Sequence, residues 1–491
     1  MLIKDLLEMN KNKETLMLQT KKRSLSYFEF YHIVQQKKNK LRQLESLSNS
    51  VMLYLPNSIE YAIAYFTVTY LDKVIVPVSN LAKKDEIVGT VDYCEISLII
   101  TNHENLEYLK QSLSKYKYKI MLYCIDEDIL IDTGNKQYRD YKKDKYLEDV
   151  AIMLHTSGTT SNPKRVMLTH KNLISNIRSN ILSLNFTKND KTLIALPMYF
   201  GYCNTAQFLT HIYVGASIYI LDNIFMPHKF YQTVDKEKIT NFTGVPSMLL
   251  TLLNYKNIKK HDVSSLRCIC FGGGNMPIEK LEQLISVFHH TGFVQTYGQT
   301  EASPRVTALL PEDAVRKLGS VGKAIPGVLC KIIDENKNVV KKNIIGEIIV
   351  KGDNVMKGYY KRPEITKETL INGWLYTGDL AKYDEEGYIY LTGRKKNVII
   401  SGGINIYPEE VEEVILNHEA VKETLVYGIK HKIMDEVPAA KVVLYDEYKG
   451  KLSEDDIINY CIEKLSRYKV PVKVIFMTKL NKTVTNKVKR Y

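Results

Sequence analysis

SVMLYLPNSIEYAIAYFTVTYLDKVIVPVS (50–79) is the stretch whose reading decides the fold class. SVMLYLP (50–56) is a short apolar run suited to a buried strand, and SIEYAIAYFTVTYLD (58–72) is apolar at helical spacing. VIVPVS (74–79) and then ISLIITN (96–102) read as further buried strands. Strands covered on both faces lose the polar alternation of a half-exposed sheet. This strand–helix–strand rhythm therefore predicts an α/β fold with mainly parallel sheets.

Working outward, the lysine-rich stretch 110–145 reads as a loop or exposed helix. From Gly346 the character changes: GEIIVKG (346–352) and GYIYLTG (387–393) look like short antiparallel strands with Gly and Asn/Asp turns, a small β subdomain. A boundary falls after GYIYLTGRKKN (387–397). YPEEVEEVILNH (407–418) is an amphipathic helix with Pro and acids at its N-terminal end, as the helix dipole favours. Strand-like TLVYGI, KVVLY and VIFM then surround the helix SEDDIINYCIEKL. The expected organisation is a large N-terminal domain of α/β subdomains, 1–395, and a small α+β lid, 396–491.

Length and composition agree with this division. A chain of 491 residues exceeds one ordinary core, and 45% hydrophobic with 25% charged residues is usual for a globular protein. Of the net charge of +13, residues 151–395 hold +10. A basic centre suits a polyanionic ligand such as a nucleotide, or simply a solvated basic surface. No lysine block interleaved with aromatics and no groove-reading helix motif points to nucleic acid. The opening MLIKDLLEMNKNKE lacks a sustained apolar run, no stretch approaches a membrane span, and seven cysteines are few and odd in number. The expectation is a cytoplasmic protein without a membrane span.

After strand-like AIML (151–154) comes HTSGTTSNPKRVMLTH (155–170). Thr156, Ser157, Thr159 and Thr160 surround Gly158, and Ser161, Pro163 and Lys164 follow. Glycine lets backbone N–H groups turn toward an anion, hydroxyls add donors, and lysine adds a point charge. The common nucleotide P-loop is excluded, since it needs Gly at 163 and Ser or Thr at 165, where Pro163 and Arg165 stand. On its own such a cluster is as compatible with a plain surface loop.

With four further motifs in order, the chain resembles the adenylate-forming enzymes: acyl- and aryl-CoA synthetases, peptide-synthetase adenylation domains and luciferases. HTSGTTSNPK looks like that family's phosphate loop, with Ser161 and Arg165 where glycines are usual. YGQTE (297–301) matches an aromatic-Gly-x-Thr-Glu element. The resemblance implies that Tyr297 and Gly298 lie at adenine, Thr300 at the phosphates, and Glu301 on Mg²⁺. FGGGNMP (271–277) is similar to the strand end along adenine and acyl group, which makes Gly272, Gly273 and Gly274 nucleotide-binding. YTGDLAKYDEEGYIYLTGR (376–394) supplies Asp379 and Arg394 for the ribose. LNKTVTNKVKR (480–490) resembles the element carrying a catalytic lysine, here Lys487, with Asn481 for the usual Pro and Asn486 for the usual Gly.

What the resemblance implies is a two-step reaction. A carboxylate attacks the α-phosphate of ATP to give acyl-AMP and pyrophosphate, and a thiol of coenzyme A or of a carrier protein then takes the acyl group. Lys487, Glu301 and Thr300 would serve the chemistry. The small domain would rotate about Lys396 between steps, bringing SGGIN (401–405) to the thiol channel. LPMYFGYCN (196–204) would line the acyl pocket, where Phe200, Tyr202, Gly244 and Val245 imply an apolar or aromatic acid. No Asp or Glu lies between Leu193 and His211 to hold an ammonium, which disfavours α-amino acids. An amino-acid adenylating enzyme and a non-catalytic nucleotide-binding relative are the alternatives. Cys268 and Cys270 read as core rather than metal ligands, and His289–His290 lacks ligand spacing, so no metal besides Mg²⁺ is expected.

Overall fold

The structure is a computed structural model that describes the chain except residues 45–46, 136, 143, 156–163, 222–224, 275, 403, 433, 483–487 and 491. Among the described residues the strands form four sheets. In the first, Ser50–Tyr54 lies between Val74–Val78 and Leu98–Thr101, all parallel, and Val150–His155 continues the parallel set beyond Val74–Val78. Ser50–Tyr54 and Val74–Val78 are buried at every position, so sheet pairing satisfies their backbone while both faces pack against other elements. Between them runs the helix Ile59–Tyr70, capped where Ser58 Oγ accepts from the Tyr61 amide at 3.0 Å. Phe66 and Ile63 on this helix are buried. Each such side chain contributes about 1.5–3 kcal/mol relative to exposure, far more than a cap.

The second sheet runs Lys323–Ala324, Arg305–Leu309, Gly292–Gly298, Cys268–Gly272, Asn241–Gly244, Lys191–Ile194, Ser217–Ile220, Leu16–Gln19 and Ser24–Ser26. Its central pairings are parallel, so Gly244, Gly272 and Gly298 all end their strands on one side. Crevices outside the carboxyl ends of parallel strands are where such folds bind ligands. Val328–Ile333, Gly346–Gly352, Trp374–Tyr383, Leu370–Ile371 and Ile389–Arg394 make an antiparallel third sheet. The fourth belongs to the small C-terminal domain, where Val421–His431 and Asp435–Leu444 pair over their full lengths.

One expectation is corrected. The stretch 110–145 is neither a loop nor an exposed helix throughout, because Met121–Cys124 is an inner strand of the first sheet and Ile129–Asp132 returns beside it as the edge. MLYC lies in a short apolar run, IMLYCI (120–125), preceded by lysines and followed by acids. Lys119 and Lys37 pair with Asp132 and Asp128 at the sheet margin, which is where an edge strand carries its charge.

Candidate active site

Residues 156–163 fall in sequence between the antiparallel strands Val150–His155 and Arg165–Thr169, whose last pair is His155 with Arg165. Thr156, Ser157, Gly158, Thr159 and Thr160 lie outside the described residues, as do Ser161 and Pro163. Lys164 is described, and its Nζ stands 4.8 Å from the centre of the Tyr359 ring. Arg165 does not project beside the loop as a free charge. It is buried, and its Nη2 donates to Thr90 Oγ1 at 2.6 Å.

Tyr359 also joins the YGQTE element: its hydroxyl donates to Glu301 Oε1 at 2.8 Å. Thr300 and Glu301 sit in a single 3₁₀ turn directly after the strand end Gly298. That turn folds back tightly, since a Cβ on Gly298 would fall 1.8 Å from the Pro304 carbonyl oxygen. Burial and the Glu301 carboxylate both push the Tyr359 phenol upward, so it remains a hydrogen-bond donor at neutral pH.

Tyr297 is buried, and its hydroxyl donates to Asp379 Oδ2 at 2.8 Å. Asp379 and Arg394 are directly opposed in the third sheet, and Arg394 Nε reaches Asp379 Oδ1 at 2.6 Å. Burial opposes the charge on Arg394, and Asp379 restores it. The ammonium of Lys396, in the following 3₁₀ turn, is lowered by burial and then by Arg394 and Lys164. Three cations drawn from two widely separated segments therefore share one field beside two carboxylates, an arrangement suited to a polyanion.

The glycines of FGGGNMP divide by role. A Cβ on Gly272 would lie 2.4 Å from the Thr296 carbonyl oxygen, so strand packing itself excludes a side chain. Gly273 has φ +82°, a conformation side chains rarely adopt. At Gly274 a Cβ would make only ordinary contact with Pro246 at 3.6 Å. Its bareness is not demanded by the protein, and it keeps the exposed rim open.

Tyr202 reaches the same strand ends, its Oη 2.8 Å from Thr296 Oγ1. Phe200 is half-buried with its ring 4.5 Å from that of Tyr199, and Gly244–Val245 closes the neighbouring strand before the helix Pro246–Leu253. Cys268 and Cys270 are buried on an inner strand. Lys487 lies outside the described residues, but its flanks belong to the small domain: Lys482 bridges Val488, and Arg490 Nη2 pairs with Glu412 at 2.7 Å and Glu409 at 3.1 Å. Tyr359, Thr296 and Arg305 are the site neighbours that motif reading missed. None stands in a motif, and only the sheet register brings them near.

Parallel strands ending at Gly244, Gly272 and Gly298, with Tyr297, Asp379 and Arg394 joined beside them, match the arrangement expected of the adenylate-forming class. The chain belongs to the AMP-binding enzyme family: the model described as "AMP-binding enzyme" matches residues 7–360, and "AMP-binding enzyme C-terminal domain" matches 410–487. It is an AMP-forming acid–thiol ligase. A 2-succinylbenzoate–CoA ligase of Bacillus cytotoxicus is 30% identical over 479 residues, covering 97% of this chain and 95% of that protein. The o-succinylbenzoate CoA synthetase (MenE) of Bacillus subtilis, solved with the acyl-adenylate intermediate OSB-AMP, superposes with a TM-score of 0.87 at 28% identity, over 99% of this chain and 96% of its own. The same synthetase with ATP and magnesium ion gives a TM-score of 0.85 at 28% identity, over 99% and 98%. Among the described residues no helix is long and apolar enough to cross a membrane.

Proposed function

We propose that this chain is a 2-succinylbenzoate–CoA ligase. The observation that carries the reading is the near full-length similarity to proteins of that name, in sequence and in structure alike. One carboxylate of the diacid attacks the α-phosphorus of ATP, forming acyl-AMP and breaking the bond to pyrophosphate. The thiol of coenzyme A, losing its proton, then attacks the acyl carbon and releases AMP. The protein's part is positioning and charge neutralisation.

In this reading each residue takes the role that the family resemblance implies. Asp379, which can only accept, and Arg394 take the ribose hydroxyls. Tyr297 backs the adenine side, and Gly273 and Gly274 leave the rim bare for a flat base. Lys164 and the loop 156–163 hold the phosphates. Among the described residues no group of three or more His, Cys, Asp or Glu could hold a metal ion. Glu301, half-buried and steadied by Tyr359, fits Mg²⁺ of the kind held by one carboxylate plus phosphate oxygens. Bound there, the ion would neutralise phosphate charge. Coenzyme A, rather than a carrier protein, is the acceptor in this reading.

ATP–pyrophosphate exchange over a panel of acids tests it. Exchange with 2-succinylbenzoate, followed by release of its CoA thioester, is expected. Exchange with no acid, despite measurable ATP binding, would favour the non-catalytic alternative.

The domain boundary is read at 395/396, with Lys396 as the hinge in the 3₁₀ turn Lys395–Asn397. Proline there fixes φ and removes an amide. Lys396→Pro should leave adenylate formation within a few-fold of wild type while slowing thioester formation by roughly 10-fold or more, since hinge residues absorb the backbone change of domain motion. Single-turnover assays of each half-reaction would measure this, and an equal loss in both would remove the hinge assignment.

A further inference from the structure

Arg305 is 1% exposed and is the largest of the fully buried side chains. Among the described residues its Nε, Nη1 and Nη2 find no well-aligned hydrogen-bond partner, only the Tyr202 hydroxyl and the Cys270 thiol standing beside them, and no ion pair joins it to a described carboxylate. Its backbone is firmly held: the carbonyl accepts from Asn176 Nδ2 at 2.7 Å, and the amide donates to Asn176 Oδ1 at 3.4 Å. The residue opens the strand Arg305–Leu309 level with Gly298, beside the strand ends that form the crevice. Its guanidinium stands by the Tyr202 phenol, whose hydroxyl meets Thr296, and by the Cys270 thiol.

A guanidinium is always charged, and burying it unpaired is costly unless an anion arrives. Among the described residues no carboxylate accounts for the charge, and filling apolar space would not require one. The position adjoins Tyr202, assigned above to the acyl pocket, rather than Lys164, assigned to the phosphates, or Arg394, assigned to the ribose. The expected acid carries two carboxylates and only one of them reacts, so the other needs a place inside an otherwise apolar pocket.

We infer that Arg305 receives the non-reacting carboxylate of a dicarboxylic acid substrate and so sets the enzyme's specificity for diacids. The inference rests on the substrate reading above. The planar fork of arginine matches both carboxylate oxygens, and the Tyr202–Thr296 hydroxyl pair lies next to it. Binding would convert an unpaired buried cation into a bidentate pair. A monoacid would leave it unpaired and be rejected.

The test compares ATP–pyrophosphate exchange for 2-succinylbenzoate with that for whichever of its two monoamides is adenylated. In the wild type, kcat/KM should favour the diacid by about 100-fold or more, as expected when a buried donor site meets an analogue that cannot accept its charge-assisted bonds. Arg305→Met should collapse that ratio toward one, with Tm equal to or above wild type because an unpaired buried charge is gone. Arg305→Lys should retain part of the ratio. A wild-type enzyme that uses diacid and monoamide equally would overturn the inference without recourse to any variant. So would an Arg305→Met enzyme that keeps the wild-type ratio, or one whose Tm falls while both acids are lost alike. No wild-type exchange with the diacid would overturn the substrate reading and the role of Arg305 with it, whereas exchange with an unaltered ratio would remove only the latter.

Discussion

Replacing Lys487 by alanine is expected to lower carboxylate-dependent ATP–pyrophosphate exchange by about 10²–10³-fold, the usual cost of removing one donor that stabilises developing charge. The lysine itself lies outside the described residues, but what carries it does not. Leu480 packs with Leu425 and Val443, Lys482 bridges Val488, and Lys482 pairs with Glu423 at 2.6 Å. On the far side Arg490 is tied to Glu412 and Glu409 and donates to the Val426 carbonyl at 2.8 Å. These contacts fasten both flanks of residue 487, and Tm is expected to be unchanged. Supplied with preformed acyl-adenylate and coenzyme A, the variant should make thioester within a few-fold of wild type. A parallel loss in both half-reactions would mean that the lysine does not act in adenylation alone.

The second large effect is expected at Asp379. Asparagine keeps the shape and can still accept from Tyr297, but it surrenders the charge that faces Arg394 at 2.6 Å. If the carboxylate serves the ribose, Asp379→Asn should raise KM for ATP by about 10–100-fold, the range for a charge-assisted hydrogen bond, with a smaller change in KM for the acid. Tyr297→Phe separates the two duties of this carboxylate. It removes the brace at 2.8 Å while leaving the charge, and should cost less in KM for ATP. Steady-state kinetics with ATP and acid varied in turn would check both. Unchanged ATP kinetics with a lowered Tm would make Asp379 a structural partner of Tyr297 and nothing more.

These residues show how far the chain could be read before folding. Ser50–Tyr54, Ile59–Tyr70 and Val74–Val78 are strand, helix and strand as their periodicity requires, because each pattern is local and strong. Met121–Cys124 was hidden, since a short apolar run between lysines and acids carries too little period to separate an inner strand from a loop. Tyr297, Glu301, Asp379 and Arg394 stood out through their order along the chain, and the fold does gather them. Their contacts did not stand out: that Asp379 would already hold both Tyr297 and Arg394, or that Tyr359 would join Lys164 to Glu301, depends on which strands become neighbours. Gly272 and Gly274 look alike in sequence, yet one is bare for the sake of Thr296 and the other is bordered only by Pro246 at ordinary contact distance.

By itself the sequence determined the α/β class, the family and the identity of the chemical groups, because hydrophobic period and motif order are properties of the chain. Only the tertiary structure decided which groups meet. Arg305 is one more basic residue in a chain with 68 of them until sheet pairing encloses it beside Tyr202. Burial then gives its charge a significance that no local pattern carries. The energy of an ion depends on what surrounds it, and in this chain the surroundings come from residues 202, 270 and 296, brought together only by folding.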